Sequence, residues 1–373
     1  MSVGLYIHIP FCLSRCAYCS FVSNLYDSTI ADAYLDAMQN EIRLKNLETL
    51  SPSTIFLGGG TPSCLSKKQL EKLFSILPSF LTAQEMTCEL NPDSADSEVL
   101  QILQDHGIDR CSFGVQSFSE KGLSLLGRRH DAKTAQKAVS KAANMKFRSV
   151  NIDLISAWPG QTTTLLEQDI GQAIDLGVSH LSCYNLIIDE ASMFLQIIEK
   201  QGLVLPSDEE IGELWDCAEF RLEHCGFVHY ETSNFSKPGY QCRHNVDNWR
   251  GEEYHGIGVA AHSHINGERI ANTNDIYEYI DSLSAGRLPI GYSEKLDPIV
   301  KAKEYAVFWL RLFDGIDLTE FRQKAGIDFF ELYKDESARL LKEGYLVQSE
   351  SGNKLFVPKK YQPVLDSILI ELV

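Results

Sequence analysis

Cys12, Cys16 and Cys19 stand within eight residues, separated first by three and then by two. They follow an apolar run, Val3 to Ile9, that ends at Pro10. Three thiolates at a strand's end are metal chemistry. Four would close a tetrahedral structural zinc site, whereas three leave one position open. Cysteine thiolates at short spacings also hold iron–sulfur clusters. A [4Fe–4S] cluster on three cysteines keeps one iron free for another ligand. Spacing alone leaves both metals open, because ligand spacings recur across metals.

Further polar residues fall where a site on the same rim would need them. Gly58-Gly59-Gly60-Thr61-Pro62 follows the second apolar run, and glycines let a backbone approach a ligand with its N–H groups exposed. Glu89 precedes Leu90-Asn91-Pro92, and Gln116 closes Phe113-Gly114-Val115. Arg128 lies in Leu126-Gly127-Arg128-Arg129-His130, and Asp153 in Asn151-Ile152-Asp153-Leu154-Ile155. Singly, each is an ordinary polar residue at a loop.

The elements that must position them alternate. Apolar patterning predicts strands over 3–9, 54–57, 86–90, 111–115, 150–155 and 180–184. Helical spacing fills 30–47, 68–77, 97–105, 132–145 and 165–176 between them. Such alternation marks a parallel sheet with crossover helices. In barrels of this kind chemistry gathers at the C-terminal strand ends, where the cysteines, the glycines, Glu89, Gln116 and Asp153 all fall.

Composition narrows the partners. The net charge of −17 over 373 residues argues against a nucleic-acid ligand, which favours a basic face. No apolar run approaches the ~20 residues of a membrane span, and no signal peptide is read at the N-terminus. Ten cysteines, three clustered and seven scattered, do not form a secreted disulfide pattern. A cytoplasmic, reducing location is expected.

The CxxxCxxC spacing, with Tyr18 before the third cysteine, resembles the cluster loop of the radical S-adenosylmethionine (SAM) superfamily. Tyr6-Ile7-His8-Ile9-Pro10-Phe11-Cys12, GGGTPS, ELNP, SFGVQSF, LGRRH and NIDLI then follow one another as in the oxygen-independent coproporphyrinogen III oxidase-like family. The resemblance implies an open six-stranded (β/α)6 TIM-like barrel. It implies a [4Fe–4S] cluster on Cys12, Cys16 and Cys19 with SAM chelating the open iron. It implies Tyr6, Gly59, Gly60, Thr61, Glu89, Gln116, Arg128 and Asp153 as the SAM contacts. SAM is a zwitterion with a ribose, and these types suit it: Arg forks onto a carboxylate, and Asp or Glu accepts from hydroxyls. The implied chemistry is reductive cleavage of the sulfonium C–S bond to a 5′-deoxyadenosyl radical.

Departures within the family point to its haem chaperone branch. The oxidases carry a further cysteine two residues after the third ligand, where this chain has Phe21. The chain is also shorter than the oxidases and begins almost at the first strand. His244-Asn245-Val246-Asp247-Asn248-Trp249 matches the HNxxYW signature of the chaperone branch except that Asn248 replaces Tyr. The resemblance therefore implies haem or porphyrin binding, a haem-acceptor protein and an electron donor for the cluster. Histidine is a common haem ligand, and His244 is the expected one. His255, His262 and His264 follow in the same region. A coproporphyrinogen III oxidase, decarboxylating two propionates with SAM, is the rival enzyme; a metal-binding module without SAM chemistry is another. Trp158 stands where the family has a smaller residue.

Three segments are expected: 1–225, the radical SAM barrel; 226–296, a barrel extension and connector carrying HNxxxW; and 297–373, a winged-helix-like α+β module. In the last, 287–298 reads as the connector leading in. Helices are expected over 302–312, 318–325 and 329–343, then a hairpin around Ser351-Gly352-Asn353 and a final helix over 361–372.

Overall fold

A computed structural model of the chain describes residues 3–77, 83–189 and 192–373. Its barrel strands are β1 (Val3–Ile9), β2 (Thr54–Gly59), β3 (Glu85–Leu90), β4 (Arg110–Gln116), β5 (Ser149–Ser156) and β6 (His180–Asn185). They lie side by side in chain order, each parallel to the next. The crossover helices are α1 (Ser28–Leu44), α2 (Lys67–Ile76), α3 (Ser97–Asp105), the short α4 (Glu120–Leu125), α5 (Ala132–Asn144) and α6 (Thr163–Asp175). The expected (β/α)6 order is present.

Local chemistry starts these helices where they start. Asp27, Asp96 and Asp131 each accept from backbone N–H groups of the first turn, and Ser66 forms a capping box with Gln69. One face of α1 carries Ala31, Tyr34, Leu35, Met38 and Ile42 into the core at helical spacing.

The sheet continues beyond the barrel on both sides. After α7 (Met193–Gln201) and α8 (Asp208–His224), β7 (Val228–Glu231) and β8 (Asn234–Ser236) add antiparallel strands beside β6. The helix α9 (Arg243–Trp249) follows, and β9 (Glu253–Ile257) then lies parallel to β1. Beyond β9 run the antiparallel strands β10 (His262–Ile265) and β11 (Glu268–Asn272), then helix α10 (Ile276–Ser284) and β12 (Ile290–Lys295). The order is β12-β11-β10-β9-β1-β2-β3-β4-β5-β6-β8-β7. Segment 287–298, expected as a connector, thus contains the sheet's outermost strand. Every residue of β12 is exposed, so it lacks the apolar alternation that reveals half-buried strands.

Buried Glu41 fastens this extension to α1. It accepts from Tyr279 Oη at 2.5 Å, Asn272 Nδ2 at 2.6 Å and the Gly258 N–H at 2.9 Å, and pairs with Lys45 at 2.7 Å. A buried carboxylate is tolerated when its oxygens are all engaged in this way.

The C-terminal part has its own core, centred on Trp309, Phe321, Phe329, Tyr333 and Leu340. It comprises α11 (Pro298–Trp309), β13 (Ile316–Asp317), α12 (Leu318–Ala325), α13 (Phe329–Leu332), α14 (Lys334–Glu343), β14 (Val347–Gln348), β15 (Lys354–Phe356) and α15 (Leu365–Leu369). The three strands form a small antiparallel sheet of order β13-β15-β14, with the expected hairpin between β14 and β15. Two helix expectations change. The single helix over 329–343 is two, parted at Tyr333, whose φ of −124° and ψ of 51° leave the helical region. The final helix over 361–372 is a 3-10 turn (Lys359–Val364), α15 and another 3-10 turn (Ile370–Leu372). Pro363 lies inside the first of these and offers no N–H to an α-helix.

Candidate functional site

The cysteine loop is held from below by a histidine. His8 Nε2 bonds the Val22 carbonyl at 2.9 Å, and Tyr6 Oη bonds His8 Nδ1 at 3.0 Å. A carbonyl only accepts, so Nε2 carries the proton and Tyr6 donates to the bare Nδ1. Burial holds the His8 imidazole below its ordinary range, which keeps that neutral tautomer. Tyr6 therefore fastens the loop through His8, and it is not among the residues facing the cavity described next.

Above this anchor opens a cavity of about 350 Å³ at the C-terminal ends of the barrel strands. Cys12, Cys16 and Cys19 line it, as do Gly59, Gly60 and Thr61. Glu89, Gln116, Arg128 and Asp153 line it too. All three cysteines are free and half-buried. Among the described residues no three Cys, His, Asp or Glu side chains converge as the ligands of a single metal ion. A cluster makes a different demand, since each thiolate takes its own iron.

The backbone around the cavity is built for close approach. A Cβ on Gly60 would stand 2.6 Å from the Phe11 carbonyl oxygen and 2.8 Å from that of Ile9. Gly59 has a φ of +102°, and a Cβ there would meet the His8 ring at 2.5 Å. Gln116 adopts a φ of +72°, unusual for a residue with a side chain, where the β4–β5 register slips between Gly114 and Gln116. Bulges and left-handed non-glycine residues of this kind gather at functional rims and re-aim a side chain.

Arg128 is the most engaged of the side chains. Its Nη1 donates to Cys16 Sγ at 3.0 Å, and Nη2 donates to Asn91 Oδ1 and the Gly114 carbonyl, both at 2.6 Å. Its Nε is buried without a hydrogen-bond partner. Asn91, which also donates to Thr61 Oγ1 at 2.9 Å, was not singled out from sequence, although it sits beside Glu89 in ELNP. Glu89 accepts from the Gly59 N–H at 3.3 Å. Burial, and next the neighbouring Asp153 carboxylate, push its carboxyl up to about 8. Burial raises Asp153 as well, against hydrogen bonds that include Asn151 Nδ2 at 2.7 Å. Arg110 also lines the cavity, at 2 % exposure; it opens a strand, where sequence reading sees only a boundary.

These groups match the donor needs of a cluster with SAM: free thiols, an arginine with a buried spare N–H, carboxylates, and glycines packed so closely on the chain behind them that no side chain fits.

His244 is not brought to this cavity. It is 4 % exposed, shares a 2.9 Å hydrogen bond with Thr54 Oγ1 and stacks on Phe56 at 5.2 Å between ring centroids. Burial lowers its imidazole to about 4, so it is a neutral core residue. The expected haem ligand therefore faces the barrel interior; the motif identified the residue but not the face of α9 it occupies. Phe21 does line the cavity and is 66 % exposed, so the place of the oxidases' extra cysteine carries a bare phenyl ring. Trp158 is fully buried against Leu126 and Ile155. The absent side chain of Gly122 makes room for it, since a Cβ there would meet the indole at 3.0 Å.

Residues 6–172 match the Radical SAM superfamily and residues 296–355 the HemN C-terminal domain. The chain is 34% identical over 353 residues to the heme chaperone HemW of Bacillus subtilis, covering 93% of both proteins. It is 37% identical over 270 residues to that of Escherichia coli, covering 70% of each. In fold it is similar to the coproporphyrinogen III oxidase HemN of E. coli, with a TM-score of 0.86 at 22% identity over 100% of this chain and 90% of that one. Radical SAM membership brings with it a [4Fe–4S] cluster and SAM. With relatives of that identity across nearly its whole length, the chain belongs to the HemW family of HemN-like radical SAM proteins.

Proposed function

We propose that this chain is a haem chaperone: it binds haem and passes it to an acceptor protein, with a cluster and SAM bound in support. The cavity lined by the three cysteines with Arg128, Glu89 and Asp153 supports the cluster and SAM, and the likeness to heme chaperones over nearly the whole chain supports the haem role. Cys12, Cys16 and Cys19 would hold the cluster. Gly59, Gly60 and Thr61 would offer backbone to SAM, while Glu89, Gln116 and Asp153 take its amino group and ribose. Arg128 would pair with its carboxylate through Nε. When bound, the cluster would supply the electron for reductive cleavage of the sulfonium C–S bond. The residues of the chain orient SAM, exclude water and keep Cys16 beside a guanidinium. An electron donor is required, and a reducing cytoplasm is the location we assign. Among the described residues no helix is long and apolar enough to cross a membrane.

Phe21 favours this reading over an oxidase, because a phenyl ring on the rim neither moves a proton nor binds a second ligand. Anaerobic reconstitution should give about four irons per chain. Cys12→Ala, Cys16→Ala or Cys19→Ala should each lose the cluster. Haem titration should give a saturable Soret band. Incubation with SAM and coproporphyrinogen III should give no protoporphyrinogen. Steady turnover of that substrate would make the chain an oxidase.

A further inference from the structure

A second cavity, of about 1150 Å³, lies on the seam between the sheet extension and the C-terminal module. It is somewhat larger than the ~300–1,000 Å³ usual for ligand sites. Its floor is a row of side chains on adjacent strands: Tyr254 is in register with His264, and His264 with Arg269. Its facing wall comes from α9 and α11. There Trp249 and Phe308 lie 6.2 Å apart, and Tyr305 sits 6.4 Å from the His264 ring at 63°. Aromatic faces on one side and an imidazole on the other suit a flat, apolar macrocycle.

Two imidazoles line this space, His262 and His264. They are two residues apart on β10 and so share a face. They differ in satisfaction, for Nε2 of His264 is buried and has no hydrogen-bond partner. A buried ring nitrogen left unpaired is costly unless something takes it. Burial holds this imidazole below its ordinary range, so the ring is neutral, and its covered Nε2 meets a ligand once the ring turns toward the cavity. Cations stand at the cavity as well. Arg311 lies 5.5 Å over the Trp249 ring, and Lys303 donates to the main-chain oxygen of Val373. Arg269 is held by Glu304 at 2.5 Å. Arg311 is likewise paired with Asp366 at 2.7 Å, so carboxylates on the ligand's edge would meet Arg311 and Lys303 by sharing them with these present partners.

The cavity also abuts the cluster site, since Tyr184 and Asn245 line both spaces. Asn245 belongs to the His244–Trp249 motif, and so does Trp249. That stretch therefore contributes an amide and an indole to the cavity while its histidine supports the core.

We propose that this second cavity is the haem seat, with His264 Nε2 as an axial ligand of the iron, the ring against Trp249, Tyr305 and Phe308, and the propionates at Lys303 and Arg311. The assignment rests on the haem-binding reading above and names its place. No bond other than iron–nitrogen coordination forms.

The test titrates haem into the full chain carrying its cluster, following the Soret band and the dissociation constant. His264→Ala should shift or abolish the band and raise Kd about tenfold or more. His264→Cys should move the band to that of a thiolate-ligated haem. Val300→Trp, which adds bulk to the cavity lining on α11 and leaves both imidazoles in place, should also weaken binding. Iron content and circular dichroism check that each variant is folded. Haem bound by His264→Ala and Val300→Trp with wild-type affinity and spectrum would overturn this seat while leaving the chaperone reading intact. Absence of a saturable band in the wild type would instead overturn the chaperone reading itself, and the seat with it.

Discussion

Nη1 of Arg128 donates to Sγ of Cys16 at 3.0 Å, joining the cysteine loop to the turn after α4 across 112 residues of chain. The guanidinium is clamped, with Nη2 spent on Asn91 and Gly114, and only Nε is unpaired. One side chain thus places a thiol and offers a charge-assisted contact.

Arg128→Ala should weaken SAM binding by ~2–5 kcal/mol, the usual loss when a buried charge pair is truncated. Equilibrium binding to the reconstituted protein measures it. Arg128→Lys should recover little, because an ammonium cannot bond Asn91, Gly114 and Cys16 together from one planar fork. Unchanged SAM affinity in the alanine variant would remove Arg128 from the site.

Glu89 gives a pH signature to the ligand-free protein. Its carboxyl sits at about 8 when folded, against ~4.3 in an unfolded chain. The folded state therefore binds the proton more tightly. That stability is fully present below the unfolded value and is lost as pH rises through the folded one. Urea unfolding at about pH 5.5 and about pH 8.5 should show the wild type losing stability at the higher pH. Glu89→Gln should lessen this slope, to which the raised carboxyls of Glu231 and Asp169 also contribute, and an unaltered slope would count against the buried carboxyl.

Gly59→Ala should cost more than ~1 kcal/mol, because alanine resists a positive φ and its Cβ would press on the His8 ring. That ring holds Val22 and with it the cysteine loop. Lower iron content should accompany the lower melting temperature. Reduced stability with full iron content would separate the glycine from the loop.

His244→Ala should reduce stability by ~1–3 kcal/mol, since Thr54 Oγ1 loses its buried partner. Its haem spectrum should match the wild type. Loss of the Soret band with full retention of stability would restore His244 as the ligand.

Much of the barrel was legible because each parallel strand is a dense apolar run closed by glycine, proline or a polar residue. The first strand's bounds match as read, and α3 spans the expected residues. What sequence could not convey was direction. His244 was visible as part of a motif, but only packing against Phe56 reveals that it points inward. β12 escaped because both of its faces meet solvent. Tyr333 keeps the helical spacing of the buried Phe329 and Leu340, so the break between α13 and α14 leaves no trace in periodicity. The tight fit of Trp158 over Gly122 joins residues 36 apart, which no local pattern can signal.

The barrel and the C-terminal module keep separate cores, and the larger cavity lies where they meet. A cargo gripped between two bodies that each stand on their own packing can be let go by parting them, with neither one unfolding. For haem seated as proposed, residence time would follow the tightness of the seam, through side chains such as Lys324 on Glu252 at 2.5 Å. An acceptor that competes for the module's face could speed delivery without ever touching the iron.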